Sequence, residues 1–336
     1  MSSSPVDAAR VTNVTPAADG VALIEIEPAS GTVPYPTGAH VVVEVLVGER
    51  PQTRCYSLVG QAPADGAYRV AVRLQPGGRG GSTAMHRLVA GDRIRISRPV
   101  SGFELSWGQP AYLLLAAGIG ITPLLGTAHA LHRARVPVRL VYAGRSRSSM
   151  PFLDELSELL GDNLRVCADD EGADDIDLAA ELAGLPSEGA AYMCGPVGFM
   201  DAVRRAWLEQ KRPAGLLRFE SFASGAGQDA QTFTVEVSET GERVTVPADT
   251  SMLDALRLAG VDMMYDCRRG ECGLCAVRVV SCDGVLDHRD VFLSDRQKAA
   301  GARMCVCVSR VMGGGVTVDT GLRPDPERYL GRAATP

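Results

Sequence analysis

Four cysteines near the C-terminus limit most strongly what this chain can become. Cys267, Cys272 and Cys275 stand in a C-x4-C-x2-C spacing, and Cys305 follows after 29 further residues. This is the ligand spacing of a plant-type [2Fe–2S] centre, in which each of two irons takes two thiolates beside the bridging sulfides. Gly270 and Gly273 would let the intervening loop wrap tightly and aim N–H groups at the sulfurs. A four-cysteine zinc site is the competing reading. Zinc modules usually pair two C-x2-C turns, and only one occurs here. Of nine cysteines, six lie between Cys267 and Cys307. The N-terminal MSSSPVDAARV shows no secretory pattern, so this clustering points to metal or redox chemistry in a cytoplasmic chain. Cys282 reads as structural. Cys307 alternates with Cys305 along a strand, so it is expected to face the other way as a small buried side chain.

The rest of the chain must supply further domains, because 336 residues exceed one ordinary core. With 46% hydrophobic and 22% charged residues it reads as globular throughout. Its net charge of −6 and lack of a basic stretch argue against nucleic-acid binding. Ala111–Leu131 carries no charge and is long enough to suggest a membrane span. It contains Gly118, Gly120, Pro123 and Gly126, so a buried strand, a glycine turn and a helix start fit it better.

Short alternating strands fill the region up to about Leu105, for example Val21–Glu27, His40–Val47, Tyr68–Leu74 and Asp92–Ser97. From Tyr112 apolar strands alternate with helices over 122–135, 152–160, 177–183 and 197–210, the pattern of a parallel sheet covered on both faces. The acidic run Asp169–Asp177 reads as a solvated loop and a helix start. Ala223–Gln231 is small and polar. The expected architecture is multidomain: an antiparallel β-barrel over 1–108, an α/β parallel-sheet domain over 109–224, a linker over 225–231, and an α+β plant-type ferredoxin (β-grasp) domain over 232–336. The last should hold strands near Phe233 and Arg243 and a helix near Met252–Ala259.

Two further constellations carry chemistry. Arg54-Cys55-Tyr56-Ser57 ends a barrel strand, and a glycine-rich segment closing with Gly80-Gly81-Ser82-Thr83 follows. The arginine offers a fork to an anion, the tyrosine a flat face, and the segment after the glycines a helix start able to hold phosphate. Gly118-Ile119-Gly120-Ile121-Thr122-Pro123 then follows an apolar strand and opens a helix, which suits a dinucleotide pyrophosphate, although it is not the full G-x-G-x-x-G fingerprint. Cys194-Gly195-Pro196 ends a later strand. Arg145-Ser146-Arg147 follows another, where the adenosine ribose would sit.

In this order the motifs resemble those of the phthalate dioxygenase reductase family within the ferredoxin-reductase superfamily, and the resemblance spans almost the whole chain. Reductases such as that of vanillate O-demethylase are similar. The resemblance implies FMN rather than FAD, held by Arg54, Tyr56, Ser57 and the segment ending at Ser82-Thr83, with Cys55 inside the motif. It implies NADH on Gly118, Gly120, Thr122, Pro123, Arg145 and Cys194-Gly195-Pro196. NADPH stays open because the arginines at 145 and 147 could take a 2′-phosphate. Ser57, Cys194 and Phe222 become the residues at the reacting centre, with Phe222 covering the flavin face, and Cys267, Cys272, Cys275 and Cys305 hold the cluster. The implied function is an NAD(P)H-dependent flavin iron–sulfur oxidoreductase. It would pass electrons to the terminal oxygenase of a Rieske non-haem iron system, such as a demethylase or ring hydroxylase. A cytochrome P450 partner and a stand-alone diaphorase are the alternatives. A monomer, with no nucleic acid and no membrane, is expected.

Overall fold

Alternating apolar residues turn one face of each N-terminal strand inward. In the computed structural model, which describes residues 6–48, 50–60, 66–78, 80–172, 176–222, 231–248, 250–268 and 270–321, these strands are β1 (Val6–Ala18), β2 (Val21–Pro28), β3 (Ala39–Val47), β4 (Arg50–Ser57), β5 (Tyr68–Arg73), β6 (Arg93–Ser97) and β7 (Val100–Ser101). They pair antiparallel in the order β4-β3-β6-β1-β2-β5, with β7 added to β3. Leu58, just past β4, bridges to Val70 of β5, and the Val59 N–H donates to the Arg69 carbonyl at 2.9 Å. The two ends of the strand order therefore meet at this bridge, as a closed barrel requires. Ile24, Ile26, Val41, Val43, Val70 and Ile96 fill the interior. Met85 of the short helix α1 (Gly81–His86) joins that core.

The strand period then gives way to strand–helix alternation. β8 (Tyr112–Ala117), β9 (Val138–Gly144), β10 (Leu164–Ala168), β11 (Ala190–Cys194) and β12 (Leu217–Glu220) form a parallel sheet in the order β10-β9-β8-β11-β12. The helices α2 (Thr122–Arg133), α3 (Leu153–Leu160), α4 (Leu178–Ala183) and α5 (Val197–Glu209) connect them. The order runs one way from β8 to β10 and then reverses to β11. Right-handed crossovers accordingly put α2 and α3 on one face and α4 and α5 on the other. Every residue of β8 is buried, as a central parallel strand requires. The uncharged Ala111–Leu131 stretch is thus strand, turn and helix inside a core. Among the described residues no helix is long and apolar enough to cross a membrane.

The chain clusters into two compact units, Met1–Phe222 and Ala223–Pro336. Within the first, barrel and parallel sheet share one apolar cluster, to which Val21, Val59, Ala71, Phe103 and Leu105 contribute beside Tyr112, Leu114 and Tyr192. The Phe103 and Tyr192 rings lie 5.4 Å apart, and the Ser106 N–H donates to the Tyr192 hydroxyl at 2.7 Å.

The second unit contains β13 (Phe233–Val237), β14 (Arg243–Val246), α6 (Met252–Leu258), β15 (Ala276–Cys282), β16 (Val285–Asp287), α7 (Asp295–Ala300), β17 (Arg303–Cys305), β18 (Arg310–Met312) and β19 (Gly315–Asp319). Its mixed sheet runs β14-β13-β19-β15-β17, with β13 and β19 parallel and the other pairs antiparallel. β16 and β18 pair separately. Val235, Val246, Leu253, Leu256, Met304 and Val318 form its core. Arg310 is buried there. Its guanidinium donates to the carbonyls of Thr250, Pro247 and Gln231 at 2.7, 2.8 and 3.1 Å, and lies 5.1 Å from the Phe233 ring centre. Of the segment expected to be a linker, 225–230 lies outside the described residues, as does the tail from 322.

Candidate functional site

The first group of residues sits on the barrel. On β4, Arg54 and Tyr56 lie opposite Val43 and Val41 of β3, whose side chains are buried in the barrel core. Alternation sends Cys55 to the other face, where it is exposed, so the structure does not gather Cys55 with its motif neighbours. Arg54 donates to the Gln52 side chain at 2.6 Å and to the Thr53 carbonyl at 2.9 Å. Its stem runs directly under Gly81, where a Cβ would come within 2.4 Å of Nε. Gly80 has φ +76° and precedes α1; Ser82 accepts from the Gln75 N–H at 3.1 Å, and Thr83 is half-buried on the same turn. Burial pushes the Tyr56 hydroxyl up to about 12, so it stays a neutral donor. A guanidinium fork, an aromatic face and a glycine turn with no side chain in the way fit a flavin phosphate and ring.

The second group lies where the sheet order reverses between β8 and β11, the place where open α/β sheets bind ligands. Gly118–Thr122 follows β8, and the Thr122 hydroxyl donates to the Ile119 carbonyl at 2.9 Å as α2 begins, with Pro123 in its first turn. Cys194-Gly195-Pro196 follows β11 and leads into α5. The two segments touch, because a Cβ on Gly120 would fall 2.2 Å from the Cys194 carbonyl oxygen. Only glycine allows this approach. Buried Tyr142 donates its hydroxyl to the Gly118 carbonyl at 3.2 Å, and burial holds that phenol well above its ordinary range.

The two groups meet at one point. Ser57, at the end of β4, donates to the Glu220 carboxylate at 3.2 Å, and both are buried. Glu220 stands in register with Cys194 across β11 and β12. Two residues on, Phe222 is 39% exposed. The structure therefore links Ser57, through Glu220, to the strand end beside Cys194. It adds Glu220, whose sequence signal was only an acid ending an unread strand. Arg145 is exposed beyond β9. Arg147 pairs with Glu171 at 3.2 Å, and its N–H donates to Asp170 at 3.2 Å, so these two exposed acids lie beside Arg147, while 173–175 of the acidic run lie outside the described residues. A separate cleft of about 790 Å³ opens at the opposite ends of β8 and β9, lined by His132, Arg133 and Arg139, away from these residues.

In the second unit the loop from α6 to β15 carries Cys267, Cys272 and Cys275. Two N–H groups, of Glu271 and Cys272, donate to Cys267 Sγ at 3.4 Å each. Gly270 packs on Asp290 and Val308, and Gly273 lies under the Phe292 ring, so neither has room for a side chain. Cys272 is exposed, whereas Cys275 and Cys305 are buried. One expectation is corrected. β17 ends at Cys305 and residues 306–308 turn, so Cys307 does not continue the alternation. It swings back, and the thiols of Cys305 and Cys307 both hydrogen-bond Cys275. Those bonds hold the Cys275 thiol well below its ordinary range and the other two well above it. A sulfur-rich loop with inward N–H donors fits a binuclear cluster, whose thiolates are spread over two irons.

Comparison with known proteins finds matches to three parts of the chain. Residues 19–105 match an oxidoreductase FAD-binding domain, 114–205 an oxidoreductase NAD-binding domain, and 235–312 a 2Fe-2S iron-sulfur cluster binding domain. The vanillate O-demethylase oxidoreductase of Pseudomonas sp. strain HR199 is 37% identical over 292 residues, which cover 85% of this chain and 90% of that one. The solved phthalate dioxygenase reductase superposes with TM-score 0.73 at 30% identity, covering 94% of this chain and 98% of that one. An intact type IV self-sufficient cytochrome P450 monooxygenase gives TM-score 0.65 at 33% identity, with 93% of this chain covering 41% of that longer one. The chain belongs to the phthalate dioxygenase reductase family, the flavin- and [2Fe–2S]-containing oxidoreductases that serve as reductase components of oxygenase systems.

Proposed function

We propose that this reductase takes electrons from NADH, holds FMN in the barrel, and delivers single electrons through its cluster to the terminal oxygenase of a Rieske non-haem iron system, a demethylase or ring hydroxylase. The observation that carries this reading is the buried Ser57–Glu220 contact in register with Cys194, because it joins the end of the barrel motif to the end of the nucleotide motif. Bound FMN supplies the change from two-electron to one-electron transfer, which neither nicotinamide nor an iron–sulfur centre can make alone.

The protein's part is orientation and exclusion. Arg54 and the turn at Gly80–Thr83 hold the phosphate end. Tyr56 would lie along the ring of a bound flavin, and Ser57 with Glu220 would offer a fixed hydroxyl and carboxylate at its reactive edge. Gly118, Gly120, Thr122 and Pro123 seat the pyrophosphate against the N-terminus of α2, and Cys194-Gly195-Pro196 lies beside the nicotinamide. Phe222, 39% exposed, would cover the open face of the bound flavin. Glu171 supports NADH over NADPH, since it occupies Arg147 and adds a negative charge where a 2′-phosphate would come. Cys267, Cys272 and Cys275 hold the cluster with a fourth thiolate from the Cys305/Cys307 pair.

The test is cofactor content. Purified protein should release about one FMN and about two irons per chain, and NADH should bleach the flavin band. A colourless zinc protein, or release of FAD, would refute the respective part.

A further inference from the structure

One loop residue of the second unit is held in a conformation that its side chain disfavours. Arg268, directly after Cys267, has φ +55°. The left-handed turns at Gly270 and Gly273, φ +76° and +72°, cost a glycine little, whereas a residue with a Cβ keeps such a φ only when its surroundings hold it there. The turn at Arg268 starts the wrap that returns the Glu271 and Cys272 N–H groups to Cys267 Sγ at 3.4 Å each. We propose that Asp254 of α6 and Arg268 form a latch that gives the cysteine loop its cluster-binding shape before the cluster enters, which makes both of them positioning residues for cluster insertion. This rests on the reading of that loop as the [2Fe–2S] site.

The Arg268 guanidinium pairs with the Asp254 carboxylate and lies 5.7 Å from the centre of the Tyr265 ring. Arg257, one turn along α6 from Asp254, lies 4.5 Å from the same ring, so Tyr265 has two cations over it. Asp254 is itself fixed. The Ser251 hydroxyl donates to its carboxylate at 2.7 Å, and its own N–H donates to the Ser251 oxygen at 3.1 Å. Met252, Leu253 and Leu256 bury the helix in the core of the unit. The loop is thus tied to a helix whose cap and packing do not depend on iron. A partly exposed ion pair is a weak bias, and thiolate–iron bonds would outweigh it once formed. Its influence therefore falls on the empty loop, where the thiolates must be gathered with no metal to hold them.

Timing cluster insertion into the full-length chain tests the latch. Iron is stripped, Fe²⁺ and sulfide are returned under anaerobic reducing conditions, and the rise of cluster absorption is followed. Asp254→Asn should slow insertion about two- to fivefold, and Asp254→Glu should recover part of that loss. High salt should slow the wild type in the same sense, because the pair is screened. Arg268→Gly, which takes a positive φ freely, should insert nearly as fast as wild type and respond neither to salt nor to Asp254→Asn added to it. An Asp254→Asn chain that inserts at the wild-type rate overturns the latch. So does an Asp254→Asn effect that persists undiminished with Arg268→Gly, since Asp254 would then act only within the α6 cap. If the wild type itself takes up no iron and sulfide, the loop is not the cluster site, and the latch falls with that reading.

Discussion

Cys305 and Cys307 show how one residue can matter more than its motif. The 29-residue spacing points to Cys305, and strand alternation sends Cys307 away. The turn after β17 instead brings both thiols to Cys275. Their surroundings differ. Cys307 faces Cys267 and the Gly270 N–H, on the loop side. Cys305 is fully buried and faces the Asp290 carboxylate, a poor neighbour for an anionic cluster. We therefore expect Cys307→Ser to lose iron and the reduced-cluster EPR signal, while Cys305→Ser keeps both. The opposite pattern would restore the ligand set drawn from spacing. The same scale explains why Glu220 escaped notice. A single carboxylate has no pattern, and it gains meaning only when folding brings it to Ser57, 163 residues earlier in the chain.

At the scale of elements, periodicity carried most of the fold. The four helices of the parallel-sheet region begin and end within two residues of their expected bounds, because apolar spacing and caps are local signals. Asp177 caps α4 by accepting from the Ala180 N–H at 2.9 Å. β12 went unread because Leu217–Glu220 is short and follows no alternation of its own; only parallel pairing with β11 makes it a strand. The barrel's closure is also invisible locally, since the Leu58–Val70 bridge depends on the whole strand order. The contact between the β8 and β11 turns yields a prediction at this scale. Gly120→Ala puts a methyl group against the Cys194 backbone, which cannot move as a side chain end can. We expect a loss of about 1–3 kcal/mol in stability, read by denaturant titration. A stability equal to wild type would show that the two turns are not in contact.

At the scale of the molecule, the two compact units have separate cores, one around Leu114 and Tyr192 with the barrel, the other around Val235 and Leu253. Calorimetry should accordingly show two unfolding transitions. Chelating the iron should lower only the one belonging to 223–336, because a bound group stabilises the unit that holds it. One transition shifting as a whole would mean the units unfold together.

The apolar cluster common to barrel and parallel sheet has a consequence for how such chains can be recombined. A splice at 108/109 would strip Tyr112, Leu114 and Tyr192 from Phe103 and Leu105 and expose a hydrophobic seam on both pieces. A splice at 222/223 cuts between compact units and opens neither core. The interchangeable part is the first 222 residues taken whole. Chimeras joined there with a foreign electron carrier should express as soluble protein, whereas barrel-only swaps should aggregate.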